Sequence, residues 1–236
     1  MDNLTAIRKE LRAHASPEKA AILQRYFKTG KGEYGDGDKF LGLTVPQQRQ
    51  IAKRFKTIAR KEDIIGLLDA AYHEERLTGI FILIHKFTEA RKKGNEKEWV
   101  DLYLSKTPRI NNWDLVDASA PVILGQWLKD KERHILYELA RSPLLWDNRI
   151  AIIATLPFIR DEDHDDILRL AEMMLTHPHD LMHKATGWML REAWCRDPHA
   201  VETFLEKFIY RMPRTMLRYA IEKMPEAQRK GILKKK

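Results

Sequence analysis

The chain has 236 residues, 44% of them hydrophobic and 32% charged, long enough to bury a sizeable core. No apolar run approaches the ~18 residues a membrane-spanning helix needs, which excludes an integral helical membrane protein. Lysine and arginine number 42 against 34 aspartates and glutamates, a net charge of +8 that favours polyanions as partners.

Helical periodicity covers nearly the whole chain, and alternating strand patterns are almost absent. Predicted helices run over 3–14, 17–28, 46–59, 62–71, 74–92, 96–106 and 112–128. They continue over 132–141, 146–160, 164–176, 180–196, 198–210 and 214–224, followed by a short tail after Pro225 that ends in three lysines. Prolines fall at the starts or stops, in Ser16-Pro17, Val45-Pro46, Thr107-Pro108, Ser142-Pro143, His177-Pro178, Asp197-Pro198 and Met212-Pro213. The loop Thr29–Lys39 is rich in glycine and suited to positive φ. No linker divides the chain, so residues 1–236 are expected to form one domain. The lone Cys195 excludes an intramolecular disulfide and fits a reducing compartment. No signal-peptide pattern is visible, and a cytoplasmic location is expected.

The helices recur in pairs. Trp113, Arg149, Lys184 and Arg218 hold similar early positions in successive apolar helices, at spacings of 36, 35 and 34 residues, and another 37 residues back lies Arg76. A period near 35 with two helices per unit predicts an all-α fold, an α-solenoid of HEAT-like helix pairs with a concave face.

That face is expected to carry the chemistry. In the 180–196 helix, Met182, Ala185, Met189 and Ala193 form a core stripe, with Lys184, Trp188 and Arg191 roughly opposite. In 112–128, Leu115, Val122 and Gln126 take one side, Trp113 and Asp117 the other, with Pro121 expected to kink the helix. Repeat register sets Trp113, Arg149 and Lys184 at one level, and Asp117, Ile153 and Trp188 one turn further on. Plainer readings compete. A tryptophan at helical spacing is usually core, Asp117 is open to a capping or pairing role, and Arg149 and Arg191 to ordinary salt bridges.

Other clusters are weaker. The acidic run 161–166 around His164 resembles a metal site, but acids also favour a helix N-terminus. His179 and His183 have ligand spacing without the H-E-x-x-H pattern. The glycine-rich loop lacks a phosphate-loop ending. No metal and no cofactor are expected.

Longer motifs add a resemblance. Asn112-Trp113-Asp114-Leu115-Val116-Asp117 resembles the W-D-x-V-D motif of the AlkD-like DNA glycosylases, the HEAT-like DNA alkylation repair family. Lys184-Ala185-Thr186-Gly187-Trp188-Met189-Leu190-Arg191-Glu192 is similar to its K-A-x-G-W-x-L-R-E motif, and Phe40-Leu41-Gly42-Leu43 before Pro46 to its F-L-G-I-x-x-P element. The likeness spans residues 5–225. It implies an enzyme that hydrolyses the N-glycosidic bond of cationic alkylated purines, N3-methyladenine and N7-methylguanine, in double-stranded DNA, with the base left stacked. By position, Asp117 would be the catalytic carboxylate, and Trp113 and Trp188 would contact the deoxyribose. Arg149 and Arg191 match positions serving the phosphate backbone and the catalytic face, and Lys184 joins them as a DNA-binding cation through the repeat register. Thr44 departs from the glutamine of the best-known member, and the Thr29–Lys39 loop is longer. A monomer is expected. The alternatives are a non-catalytic DNA-structure binder of the same fold and a HEAT-like scaffold for another protein.

The chemistry suits such an enzyme. A purine alkylated at N3 or N7 leaves as a neutral base, so no general acid is required. Positive charge moves onto the sugar in the transition state, where one carboxylate stabilises it.

Overall fold

The computed structural model describes residues 2–235 and is all-helical among them, without strands beyond one isolated bridge between Lys39 and Tyr72. Lys236, part of the lysine tail, lies outside the described residues. The chain divides into two compact units, residues 1–119 and 120–236. The division falls between two fully buried residues, Ser119 and Ala120, and not at a linker.

The first unit comprises α1 (Asn3–Ala13), α2 (Pro17–Tyr26), α3 (Val45–Phe55), α4 (Lys61–Leu68), α5 (His73–Arg91), α6 (Lys97–Ser105) and α7 (Trp113–Ser119). Two helices start where proline stands one or two residues after a capping hydroxyl. Ser16 accepts from the Lys19 N–H ahead of α2, and Thr44 with Gln47 closes a reciprocal capping box at α3. Both satisfy orphan N–H groups of the first turn, which a proline needs least.

The centre of this unit is α5, whose sides pack on α3, α4, α6 and α7. Its opening residues are charged yet buried: His73, Glu74, Glu75 and Arg76 are each no more than 2% exposed. Each has built-in partners, as burial of charge demands. Glu75 accepts from Arg8 Nε at 2.7 Å and Arg12 at 3.0 Å, both on α1. Glu74 accepts from the backbone N–H groups of Leu41 and Gly42 at 2.9 and 2.8 Å, and of Leu43 at 3.3 Å. Gly42 takes φ +91°, and a Cβ there would lie 2.1 Å from the Ser16 carbonyl oxygen. The Phe-Leu-Gly-Leu element is therefore an amide cradle for a buried carboxylate, and only glycine fits its bend.

The second unit comprises α8 (His134–Ala140), α9 (Leu145–Ile153), α10 (Leu156–Arg160), α11 (Asp165–Met173), α12 (Asp180–Trp194), α13 (Pro198–Phe208), α14 (Arg214–Ala220) and α15 (Glu226–Lys234). Helix α12 is its axis, packed on α9, α10, α11, α13 and α14. The predicted stripe Met182, Ala185, Met189 and Ala193 is buried, and Thr186, Gly187 and Leu190 widen the buried arc because α12 is covered on several sides. At Gly187 an added Cβ would stand 2.5 Å from the Met216 carbonyl oxygen and 2.5 Å from Tyr219 Cβ. The glycine of this motif thus sets how closely α12 and α14 approach.

Three predicted elements differ from those observed. The 112–128 helix stops as α7, and residues Pro121–Gly125 widen into a π-turn in which the Gly125 N–H donates to the Ala120 carbonyl at 2.9 Å. Pro121 has no N–H for the ladder, and the inserted residue rotates the phase. Ile123 and Leu124 are buried in consequence, in place of Val122 and Gln126. The 146–160 helix breaks after Ile153, since Pro157 leaves an unserved carbonyl one turn earlier. The tail after Pro225 forms α15, tied down by Gln228 donating to Glu202 at 2.7 Å and by Arg214 donating to the Leu233 carbonyl at 3.3 Å. No helix of the described residues is long and apolar enough to cross a membrane.

Candidate functional site

The two motifs lie in different units, and each forms its own local arrangement. In the first unit, Trp113 opens α7 and Asp117 follows one turn later, both part-exposed. Asn112 accepts from the Trp113 N–H at 2.9 Å, and Asp114 accepts from the Leu115 N–H at 2.9 Å, so polar side chains fasten the first turn. The Trp113 ring stacks on Phe27 with centroids 5.3 Å apart, and Tyr26 meets its edge at 6.1 Å. Phe27 in turn stacks on Phe40 at 5.2 Å. These rings, with Leu23, Leu43, Val45 and Leu77, wall an apolar cavity of about 310 Å³ at which Trp113 stands. Tyr26 is 62% exposed, an unusual position for an aromatic ring in a stack.

Beneath this stack runs a charged chain. Arg76 donates to Asp38, and also to the Ala70 and Ala71 carbonyls at 3.1 and 3.3 Å. The His73 ring lies between two carboxylates, with Nδ1 3.2 Å from Asp38 and Nε2 2.8 Å from Asp114. It stacks on Phe40 at 4.7 Å and lies tilted against Phe27 at 5.0 Å. Burial works against charge on His73, but Asp114 first and Asp38 second outweigh it and push the imidazole up to about 9. Burial likewise works against the Asp38 carboxylate, and His73 with Arg76 overcomes it and holds the group below its usual range.

In the second unit, Lys184, Trp188 and Arg191 lie along the part-exposed side of α12. Lys184 pairs with Asp180 at 2.7 Å, the Trp188 Nε1–H donates to Glu192 at 3.0 Å, and Arg191 pairs with Glu222 and with Glu192 at 3.3 Å. Partial burial opposes the Arg191 charge, yet Glu222 and Glu192 push its pKa up. Arg149 differs from the other two cations: it is 5% exposed, and it donates to the Leu181 carbonyl at 2.8 Å at the start of α12. Ile153, in register with Asp117 and Trp188, is fully buried.

Several members of the clusters that resembled metal sites have other partners, although His164 is buried with neither ring nitrogen hydrogen-bonded. Asp163 and Asp166 hold Arg133 at 2.6 and 2.7 Å, Tyr137 donates to Asp166 at 2.6 Å, and Asp161 pairs with Lys129. His179 caps α12 by accepting the Leu181 N–H at 3.1 Å, and His183 bonds the His177 carbonyl at 2.6 Å. In the glycine-rich loop, the Gly30 and Gly32 N–H groups donate to Glu33 and Asp36 at 2.9 and 2.8 Å.

Sequence reasoning missed Tyr26, Phe27, Asp38 and His73. The available signal was the clustered charge of His73-Glu74-Glu75-Arg76, which reads equally as a solvated helix start.

Comparison with known proteins agrees with the fold and with the family resemblance. A family model described as DNA alkylation repair enzyme matches residues 7–224, and the chain belongs to that family. Among solved structures, it is similar to a predicted DNA alkylation repair enzyme from Enterococcus faecalis, with a TM-score of 0.70 at 19% identity, covering 90% of this chain and 98% of that one. The curated proteins contain no match to the chain.

Proposed function

We propose that this chain is a monofunctional DNA glycosylase that releases N3-methyladenine and N7-methylguanine from double-stranded DNA. Asp117 is its catalytic carboxylate, and Trp113 and Trp188 hold the deoxyribose. The observation that carries the reading is the start of α7. A tryptophan fixed by ring stacking at an apolar cavity is followed one turn later by a part-exposed carboxylate. Such a pair suits a sugar that gains positive charge as a neutral base departs, since the carboxylate stabilises that charge and an aromatic face attracts it by ~0.5–2 kcal/mol. Lys184 and Arg191 bind phosphates by exchanging their present carboxylate partners for DNA. Arg149 supports them by holding Leu181, where α12 begins. The enzyme works as a cytoplasmic monomer without metal or cofactor.

Release of free purine from methylated duplex DNA tests the assignment. Asp117→Asn is expected to lower the single-turnover rate by ~10²–10³ while duplex affinity stays near wild type. Tight binding without any release by the wild-type chain would mark a DNA-structure binder of this fold instead. An Asn variant as fast as wild type would remove Asp117 from the chemistry.

A further inference from the structure

The chain of charges under the aromatic stack has a feature that packing alone does not require. Both ring nitrogens of His73 face carboxylate oxygens, Asp38 at 3.2 Å and Asp114 at 2.8 Å. A neutral imidazole carries one N–H and one lone pair, so one of these contacts would set a lone pair against a carboxylate. With both carboxylates ionised, the two contacts are satisfied together by the imidazolium, with both nitrogens donating.

The surrounding charges balance around that state. Asp38 comes from the loop before Phe40, Asp114 from α7, and Arg76 from α5 itself, so two cations meet two carboxylates. Neighbouring Glu74 is turned to the N–H groups of residues 41–43, and Glu75 to Arg8 and Arg12, which leaves neither to neutralise His73. Arg109 approaches Arg76 from the turn before α7 and donates to the Ala70 carbonyl at 2.8 Å. The His73 backbone N–H donates to the Lys39 carbonyl at 2.8 Å, and its ring stacks on Phe40 and lies tilted against Phe27.

We propose that His73 is a positioning residue for the excision reaction: as an imidazolium it clamps Asp114, and through Asp114 the first turn of α7 that carries Trp113 and Asp117. The clamp is mechanical and direct. Asp114 uses Oδ2 for His73 and Oδ1 for the Leu115 N–H, so one carboxylate joins α5 to the helix start between the two site residues. Phe27 completes a second route, touching His73 at 5.0 Å and Trp113 at 5.3 Å. Its catalytic meaning rests on the proposed glycosylase reading, whereas the clamp itself does not.

The sign follows from the raised pKa. The charged ring contributes stability that is fully present below the unfolded-state value near 6.5 and is lost as pH rises through about 9. Alkaline pH therefore loosens α7, and acid within the neutral range does not.

Histidine-selective NMR on the full chain, without DNA, reads the clamp. The His73 ring is expected to titrate with a midpoint near 9, and the Trp113 indole resonance to shift with the same midpoint. Asp114→Asn keeps the shape and an acceptor for the Leu115 N–H, and is expected to lower the midpoint by about one unit or more. In single-turnover excision, the alkaline fall in rate should move down in pH with that variant while affinity for an abasic duplex is unchanged. His73→Gln should cut the rate on the order of 10²-fold, the scale of a roughly 1 Å misplacement, and lack that alkaline fall. Titration of His73 near 6.5, or a Trp113 resonance indifferent to it, overturns the clamp. Absence of purine release at every pH would instead overturn the glycosylase reading, with the NMR result still deciding the clamp.

Discussion

The three cations expected to hold DNA illustrate how little a residue type says about its availability. Arg149, Lys184 and Arg191 are equivalent in a sequence reading, but Arg149 is 5% exposed and donates to the Leu181 carbonyl, whereas the other two lie part-exposed beside Asp180, Glu192 and Glu222. A surface ion pair contributes little to stability, so exchanging its carboxylate for a phosphate costs little. Lys184→Ala and Arg191→Ala are each expected to reduce the log–log salt slope of duplex binding by about 0.9, similarly for different sequences. Arg149→Ala should change the slope less and lower Tm more, because it strips a hydrogen bond from a helix start. Fluorescence anisotropy across salt concentrations separates the cases, and equal slope changes for all three would contradict this division.

At the scale of elements, two motif glycines act as spacers and not as hinges. Gly187 lets the α14 backbone come to within 2.5 Å of where a Cβ would sit, and the opposing atom is a backbone carbonyl that cannot rotate aside. Gly187→Ala must separate α12 from α14, and since Trp188 and Arg191 ride on α12, their placement moves with it. Overpacking of this kind costs about 1–3 kcal/mol. Chemical denaturation is expected to show that loss. An alanine variant as stable as wild type would mean the helices yield freely. The Phe-Leu-Gly-Leu element obeys the same logic, with the added demand that Gly42 keep its positive φ for the Glu74 cradle.

Over the whole molecule the net charge is +8, and on the proposed glycosylase reading general attraction to DNA and discrimination among bases are expected to have separate origins. Discrimination is expected to come from the leaving group. One carboxylate at the sugar helps a base that is already cationic, while uracil or hypoxanthine would have to leave as an anion without a general acid. N3-methyladenine and N7-methylguanine should be released readily from duplex DNA, uracil and hypoxanthine essentially not, and EDTA should leave the rates unchanged. Efficient uracil release would require a proton donor outside this scheme. Activity lost to EDTA and restored by one metal would require a metal site outside this scheme.

The helical class, most helix starts and the buried stripe of α12 were legible in the sequence because periodicity and capping are local, acting over three or four residues. The π-turn at Pro121 and the break before Pro157 were half legible, since proline announces a disturbance without saying how the chain accommodates it. The buried charges were not legible. His73-Glu74-Glu75-Arg76 has the composition of an exposed helix start, and its burial depends on groups far away in the chain: Arg8 lies 67 residues from Glu75, and Asp114 lies 41 from His73. Only tertiary structure brings those partners together. A charge is tolerated inside a protein when its counter-charges arrive from other elements, and that condition leaves no period in the sequence.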